Sequence, residues 1–348
     1  MSMDLKTIFQ QLAAGRDLSR EQAHWVFDRI LSGEMPEHAT AALLGAILAK
    51  GEGVDELVGA AEAMRDSAIN IRCDAECIDT CGTGGDGIST YNVSTTAALI
   101  AAAAGATVAK HGNRSITRAC GSTEVLTHLG INVEADPPTV ERCLAEVRIG
   151  YLNARNLHPA MRFAAPVRQA IPARTIFNLL GPLTNPAGAR RQVLGVAGPD
   201  LLDKIAGALG RLGARRAWVV HGEGLCDLTV TGETKVVEVY DGSMRRFTLT
   251  PEALGLRRAS LDQLRVDSPA ASAAMVLSIL EGKPGAARDH ALMNAGAALV
   301  VAGLVKDLAA GIAKAAKAVD QGLAMETLTQ CRRLAGLSDG GERKGRSA

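Results

Sequence analysis

From Glu76 onward the chain alternates short apolar runs with amphipathic stretches, and this alternation confines it to an α/β architecture. The runs "ECIDT", "ATVAK", "INVEA", "IGYLNA", "QVLGVAG" and "RAWVVHG" are strand-sized. Helical segments lie between them, from about Ser94, from about Ser122, and through "TVERCLAEV" and "LLDKIAGALGRLG". Strands joined through helices pair in parallel, so a mainly parallel sheet covered by helices is expected. "TVTGETKVVEVYDGSMRRFTL" reads differently. It alternates and turns at Asp241-Gly242, which predicts antiparallel strands at a sheet edge.

The first 70 residues carry no strand pattern. Ser19-Arg20-Glu21-Gln22 is a capping box opening a run in which Trp25, Val26, Ile30 and Leu31 recur at helical spacing, and Gly33 can end it. The expected organisation is a small all-helical N-terminal domain plus a large α/β domain. At 348 residues the chain is long enough for both. The helical domain takes residues 1–70 and about 159–186, where two helical stretches interrupt the α/β rhythm. The α/β domain takes about 71–158 and 187–336, and the polar, Gly-rich residues 337–348 form a disordered tail.

Lys+Arg number 38 against Asp+Glu 37, so the net charge is +1 and no global field attracts nucleic acid; any anion must be held locally. The longest apolar run, from Ala97, is 13 residues of mostly alanine, too short to span a bilayer. "MSMDLKTIFQQ" lacks the basic start and apolar core of a signal peptide, which reads as cytoplasmic. The seven cysteines (Cys73, Cys77, Cys81, Cys120, Cys143, Cys226, Cys331) are odd in number and scattered, as in reduced intracellular proteins. Cys73, Cys77 and Cys81 are evenly spaced, but without a CxxC pair a metal cluster is disfavoured.

A strand ending at Thr80, then Gly82-Thr83-Gly84-Gly85-Asp86-Gly87, then a helix near Ser94, is an arrangement in which bare amides can cradle a phosphate. It is neither a P-loop nor a dinucleotide fingerprint, and taken alone it serves equally as a sharp turn. Ser94 or Thr95 alone reads as a helix cap. The next strand, however, ends in Lys110-His111-Gly112-Asn113-Arg114, a second anion-friendly loop at the same sheet edge, where ligands of open α/β sheets bind.

Together, GTGGD (82–86), NVST (92–95), KHGNRS (110–115) with Gly121-Ser122, HPAM (158–161), Val167-Arg168 and "RTIFNLLGPLTNPA" (174–187) resemble the anthranilate phosphoribosyltransferase family along nearly the whole chain. The resemblance implies the fold of the nucleoside phosphorylase and phosphoribosyltransferase class, a homodimer, and the use of 5-phosphoribosyl 1-diphosphate with Mg²⁺. It places Gly82, Gly85, Asp86 and Thr90 at the phosphoribosyl diphosphate, extended by Asn92, Val93, Ser94 and Thr95. A second phosphate loop would comprise Lys110, His111, Gly112, Asn113, Arg114, Ser115, Ile116, Thr117 and Arg118, closed by Ser122. Gly82, Asn113, His158 and Arg168 would surround the anthranilate, with the Arg168 guanidinium gripping its carboxylate. Ser94 and Asp227 would hold the metal.

The chain departs from the family at His221-Gly222-Glu223-Gly224-Leu225-Cys226-Asp227, where relatives usually carry an Asp-Glu pair; Cys226 stands at the Asp position. A thiol is a poor ligand for a hard cation, so one of two metal positions is expected to be weakened. Glu223 is expected to be a solvated loop acid. Arg118, Ala119 and Cys120 also replace commoner Ser, Lys and Ser. These departures leave open a paralogue acting on another aromatic amine with altered metal use. A nucleic-acid-binding homologue should be basic and should have lost both loops, and a nucleoside phosphorylase fits the Arg168 and "GPLTNP" blocks less well.

Overall fold

The computed structural model describes residues 3–113 and 121–336. The expected tail at 337–348, and Arg114, Ser115, Ile116, Thr117 and Arg118 of the second loop, lie outside the described residues.

Seven strands form one sheet: β1 (Cys77–Gly82), β2 (Thr107–Gly112), β3 (Ile149–Asn153), β4 (Arg191–Gly195), β5 (Arg216–Gly222), β6 (Thr234–Tyr240) and β7 (Ser243–Leu249). Their order is β3-β2-β1-β4-β5-β6-β7. The first five pair in parallel, and β6 and β7 join antiparallel. The order reverses between β1 and β4, so the carboxyl edge there is a topological switch point, where loops diverge and leave a crevice. The expected hairpin closes at Asp241 and Gly242, whose φ of 44° and 82° suit a tight two-residue turn.

Each sheet face is covered. On one side Ile78, Val108, Val193, Trp218 and Val220 pack under two nearly fully buried helices, Val93–Ala103 and Ala286–Val301. Alanines at 97, 98, 101 and 102 let the first of these lie close to its neighbours. On the other side Leu194, Val196, Val219 and Val237 share a core with helices Leu5–Ala13, Arg20–Leu31, Glu37–Lys50 and Val54–Asp66. Ala164, Val167, Phe177, Leu180 and Leu183 enter that same core from the segment after β3. The capping box forms as written: Ser19 Oγ accepts the Gln22 N–H at 3.2 Å, and Gln22 Oε1 accepts the Ser19 N–H at 2.9 Å.

Two expectations need correction. β1 runs on to Gly82 instead of ending at Thr80, because Cys81 and Gly82 keep register with Leu194 and Gly195. "INVEA" is not a strand: Ile131 makes one isolated bridge to Gly336. The Asn132 N–H is taken by Ala335 O at 2.6 Å and its side chain by the Glu134 N–H at 3.0 Å, so the segment turns before it can join the sheet.

Candidate active site

The loops after β1 and β5 and the described residues flanking the connection after β2 meet at the carboxyl edge of the sheet, under a roof formed by residues 168–182. They enclose a cavity of about 280 Å³.

The loop after β1 is tied to β4 by the Thr83 N–H, which donates to Gly195 O at 2.8 Å, and by Thr83 Oγ1, which accepts the Ala197 N–H at 3.2 Å. Gly84 and Gly85 then take φ of 62° and 85°, a left-handed path that penalises any side chain. The Asp86 carboxylate accepts the Ile88 N–H at 3.3 Å and the Cys226 N–H at 3.0 Å, which joins this loop to the one after β5. That junction leaves no room over β4: a Cβ on Gly195 would lie 1.6 Å from Cys226 O.

The helix begins at Val93, capped by Asn92, whose Oδ1 accepts the Thr95 N–H at 3.2 Å. Neither Ser94 nor Thr95 is the cap, which corrects the simpler reading of that pair. With capping done by Asn92, the Ser94 hydroxyl is released to the cavity wall, alongside Asn92 and Val93. Thr90 and Thr95 are buried; Thr90 bridges to Arg265 through its backbone, and neither lines the cavity.

β2 delivers Lys110 to the cavity floor. Its ammonium donates to Thr80 O at 2.7 Å and to Ser94 Oγ at 3.2 Å. Burial lowers its pKa, while Asp79, Cys81 and Asp227 pull it back up. Asp79 lies fully buried beneath, accepting the His111 N–H at 3.1 Å and an Asn185 side-chain N–H at 2.8 Å; burial pushes its carboxyl up to about 6. The His111 ring sits 3.1 Å from Gly181 O through Nδ1, and burial pushes its pKa down to about 3. A neutral ring donating Nδ1–H to that carbonyl leaves Nε2 as an acceptor. Gly112 and Asn113 complete this wall, where Ser122 Oγ donates to Asn113 O at 3.2 Å.

Of the residues expected around the acceptor, Gly82, Asn113 and Arg168 line the cavity. His158 does not: its ring stands 5.2 Å from that of His111, outside the lining, and burial pushes its pKa down to about 4. The Arg168 guanidinium carbon lies 5.4 Å from the centre of the Phe177 ring, and burial lowers its pKa. Sequence reasoning missed Arg174, Phe177 and Asn178, which also form the roof. All three belong to "RTIFNLLGPLTNPA", and the bulk and charge of its first residues were the available signal.

Cys226 and Asp227 both line the cavity and are nearly buried, whereas Glu223 is exposed, as expected of a solvated loop acid. Among the described residues no three His, Cys, Asp or Glu side chains converge on one point, and Cys73, Cys77 and Cys81 form no metal cluster. The Ser94 hydroxyl and Asp227 carboxylate are nevertheless hard oxygen donors in one cavity. One carboxylate with few other protein ligands suits Mg²⁺, which is commonly shared with substrate phosphates.

The helical bundle domain of the glycosyl transferase family matches residues 6–68, and the a/b domain of that family matches residues 74–325. The anthranilate phosphoribosyltransferase of Anaeromyxobacter sp. (strain K) is 52% identical over 317 residues, covering 91% of this chain and 94% of that protein. That of Caulobacter vibrioides is 47% identical over 328 residues, covering 94% and 96%. Among solved structures, the anthranilate phosphoribosyltransferase from Thermus thermophilus is similar at a TM-score of 0.89 and 42% identity, covering 94% of this chain and 98% of that one. The Saccharomyces cerevisiae enzyme, solved in complex with PRPP and Mg, shares the fold at a TM-score of 0.87 and 24% identity, covering 96% and 99%. With identity near one half over more than nine-tenths of its length, and both domains matched in order, the chain belongs to the anthranilate phosphoribosyltransferase family.

Proposed function

We propose that the protein transfers the phosphoribosyl group of 5-phosphoribosyl 1-diphosphate to the amino group of anthranilate, releasing diphosphate, as a step of tryptophan biosynthesis. The observation that carries this reading is one cavity in which the glycine loop and Lys110 face a half-buried Arg168 of the roof, in a chain of this family.

An arylamine is neutral and nucleophilic at pH 7, so the reaction asks little of a general base. The nitrogen bonds to the anomeric carbon, the bond from that carbon to the diphosphate oxygen breaks, and the nitrogen then loses a proton. Positive charge grows on the sugar while negative charge grows on the leaving group, so the barrier is lowered chiefly by fixed positive groups beside the diphosphate. The amides of the glycine loop and the Lys110 ammonium supply them. Arg168 fixes the acceptor carboxylate and thereby aims the amine, which removes orientational entropy from the barrier. Ser94 and Asp227 would hold Mg²⁺, which when bound neutralises charge on the diphosphate. Cys226 adds little to that cation because sulfur binds it weakly.

The proposal keeps phosphoribosyl diphosphate contacts at Gly82, Gly85, Asn92, Val93, Ser94, Lys110, His111, Gly112, Asn113 and Ser122, all on the cavity lining; Asp86, Thr90 and Thr95, expected at the same group, and His158, expected at the anthranilate, lie outside that lining. In the division into a helical unit (1–70 with 159–186) and an α/β unit (71–158 with 187–336), family-domain boundaries at 68 and 74 support the break near residue 70, and the core that Ala164, Val167, Phe177, Leu180 and Leu183 share with the N-terminal helices supports the place of 159–186, although the a/b family match runs through that segment. A cytoplasmic homodimer is proposed from the resemblance; no helix among the described residues is long and apolar enough to cross a membrane.

The test is diphosphate release with anthranilate and with other aromatic amines, each across a Mg²⁺ titration. Anthranilate should be strongly preferred. Turnover confined to a different amine would replace this reading with that of a paralogue, which Cys226 makes the natural second candidate.

A further inference from the structure

Arg174 follows the helix Ala165–Ala170 and reaches across to the loop after β1, where one guanidinium meets three consecutive carbonyls. Nη2 donates to Gly84 O at 3.0 Å and to Thr83 O at 3.4 Å, and Nη1 donates to Gly85 O at 3.4 Å. In a planar trans peptide, the carbonyl of one residue and the N–H of the next point in opposite directions. Three carbonyls gathered on Arg174 therefore turn the N–H groups of Gly84, Gly85 and Asp86 away from it.

Two further observations agree. Among the described residues the Gly84 and Gly85 amides donate no hydrogen bond, although both glycines line the cavity. A Cβ on Gly85 would lie 2.0 Å from Arg174 Nη1, so the guanidinium sits directly against the bare backbone. Glycine peptides flip readily, and a flipped unit would offer a carbonyl dipole to an approaching anion. A planar fork with several donors is suited to prevent this; an ammonium reaches fewer acceptors at once.

We infer that Arg174 is a positioning residue for the donor half of the site: it holds the peptide units between Thr83 and Asp86 with their amides presented to the diphosphate, acting through the loop rather than as a direct ligand. This rests on the reading that the glycine loop holds the diphosphate. It also gives the helical layer a part in binding a group that the α/β layer was expected to hold alone.

The experiment compares wild type, Arg174→Ala and Arg174→Lys. Titration calorimetry with 5-phosphoribosyl 1-diphosphate and Mg²⁺ gives donor affinity, steady-state kinetics give KM for anthranilate, and crystal structures of ligand-free wild type and Arg174→Ala give the orientation of the peptide units between Thr83 and Asp86. Arg174→Ala should weaken donor binding by about tenfold, the scale of one lost hydrogen-bonded arrangement. Lysine should recover part of this, and KM for anthranilate should stay within about twofold. At least one peptide unit between Thr83 and Asp86 should be rotated in ligand-free Arg174→Ala relative to wild type. Weakened donor binding with every one of these peptide units unmoved would make Arg174 a direct ligand and overturn the inference. So would unchanged donor binding, or equal losses for both substrates. Should the alanine variant fail to fold, Arg174→Gln and Arg174→Lys carry the same comparisons. Wild type showing no heat with the donor would instead overturn the reading of the glycine loop itself, and the clamp with it.

Discussion

Arg168 keeps its charge in the cavity wall against the ring of Phe177, and the burial that lowers its pKa is the cost of holding a cation ready for an anionic partner. Replacing it with alanine should raise KM for anthranilate by about 10- to 100-fold, the scale of a charge-assisted pair, while donor affinity measured by calorimetry moves little. Cys226 offers the opposite experiment, a gain. Its backbone is pinned, the N–H on Asp86 at 3.0 Å and the carbonyl against Gly195, so Cys226→Asp changes the side chain without moving the loop. The Mg²⁺ concentration giving half-maximal rate should fall severalfold, and an unchanged requirement would mean that this position does not meet the cation. A third prediction concerns Cys73, half-buried, whose sulfur is drawn down to about 7 chiefly by its hydrogen bond with Cys77. Iodoacetamide at pH 7.5 should modify it ahead of Cys77, Cys143 and Cys331, which mass spectrometry of peptides can rank. At this scale the sequence was readable where chemistry is local. Lys110 declared itself by ending a strand-sized apolar run, and Ser94 by standing at the helix start that follows the glycine loop. The capping role of Asn92 was not readable, because Asn, Ser and Thr all cap well and only the backbone path decides among them.

Helix packing rests on small residues at a few crossings. In the helix Val54–Asp66, a Cβ on Gly59 would lie 2.2 Å from Arg20 O, whereas in Glu37–Lys50 a Cβ on Gly45 would meet nothing within 4 Å. Gly59→Ala should therefore destabilise by about 1–3 kcal/mol, because the backbones cannot both stay in place. Gly45→Ala should stabilise by about 0.5–1 kcal/mol through helix propensity alone. Urea denaturation of the two variants beside wild type checks both signs; a neutral Gly59→Ala would mean that the helices Arg20–Leu31 and Val54–Asp66 can separate freely. Elements were legible from period and turn chemistry, above all the β6–β7 hairpin at Asp241-Gly242. "INVEA" was misread because its apolar spacing suits a strand equally well, and only a distant helix, Leu323–Ala335, competes for its backbone.

Over the whole molecule, His111, His158 and His290 are buried with pKa values pushed down to about 3, 4 and 4, while Asp79 is pushed up to about 6. A histidine whose folded pKa lies below its unfolded value of about 6.5 contributes stability that is present at neutral pH and lost as pH falls below that value. Asp79 acts in the other sense: its contribution is present below about 3.8 and lost as pH rises through about 6, so it opposes one histidine across that window. At pH 5 unfolding should thus take up about two protons, a stability slope of roughly 3 kcal/mol per pH unit. Denaturant titrations between pH 7 and 5 measure this slope, and His290→Gln should flatten it by about one proton. A slope near zero would show these rings to be charged or exposed in the native protein. The floor of the cavity could be foreseen, since each part is a strand, a loop and a helix start in succession. The roof could be foreseen only at Arg168, through the family resemblance, since residues 168–182 reach it by long-range packing that no local pattern encodes. That separate origin has a practical corollary. With Arg174 kept, a library confined to positions 168, 177 and 178 samples new acceptors against an untouched cradle for the activated sugar, so redesign of amine preference need not begin by rebuilding the machinery that expels the leaving group.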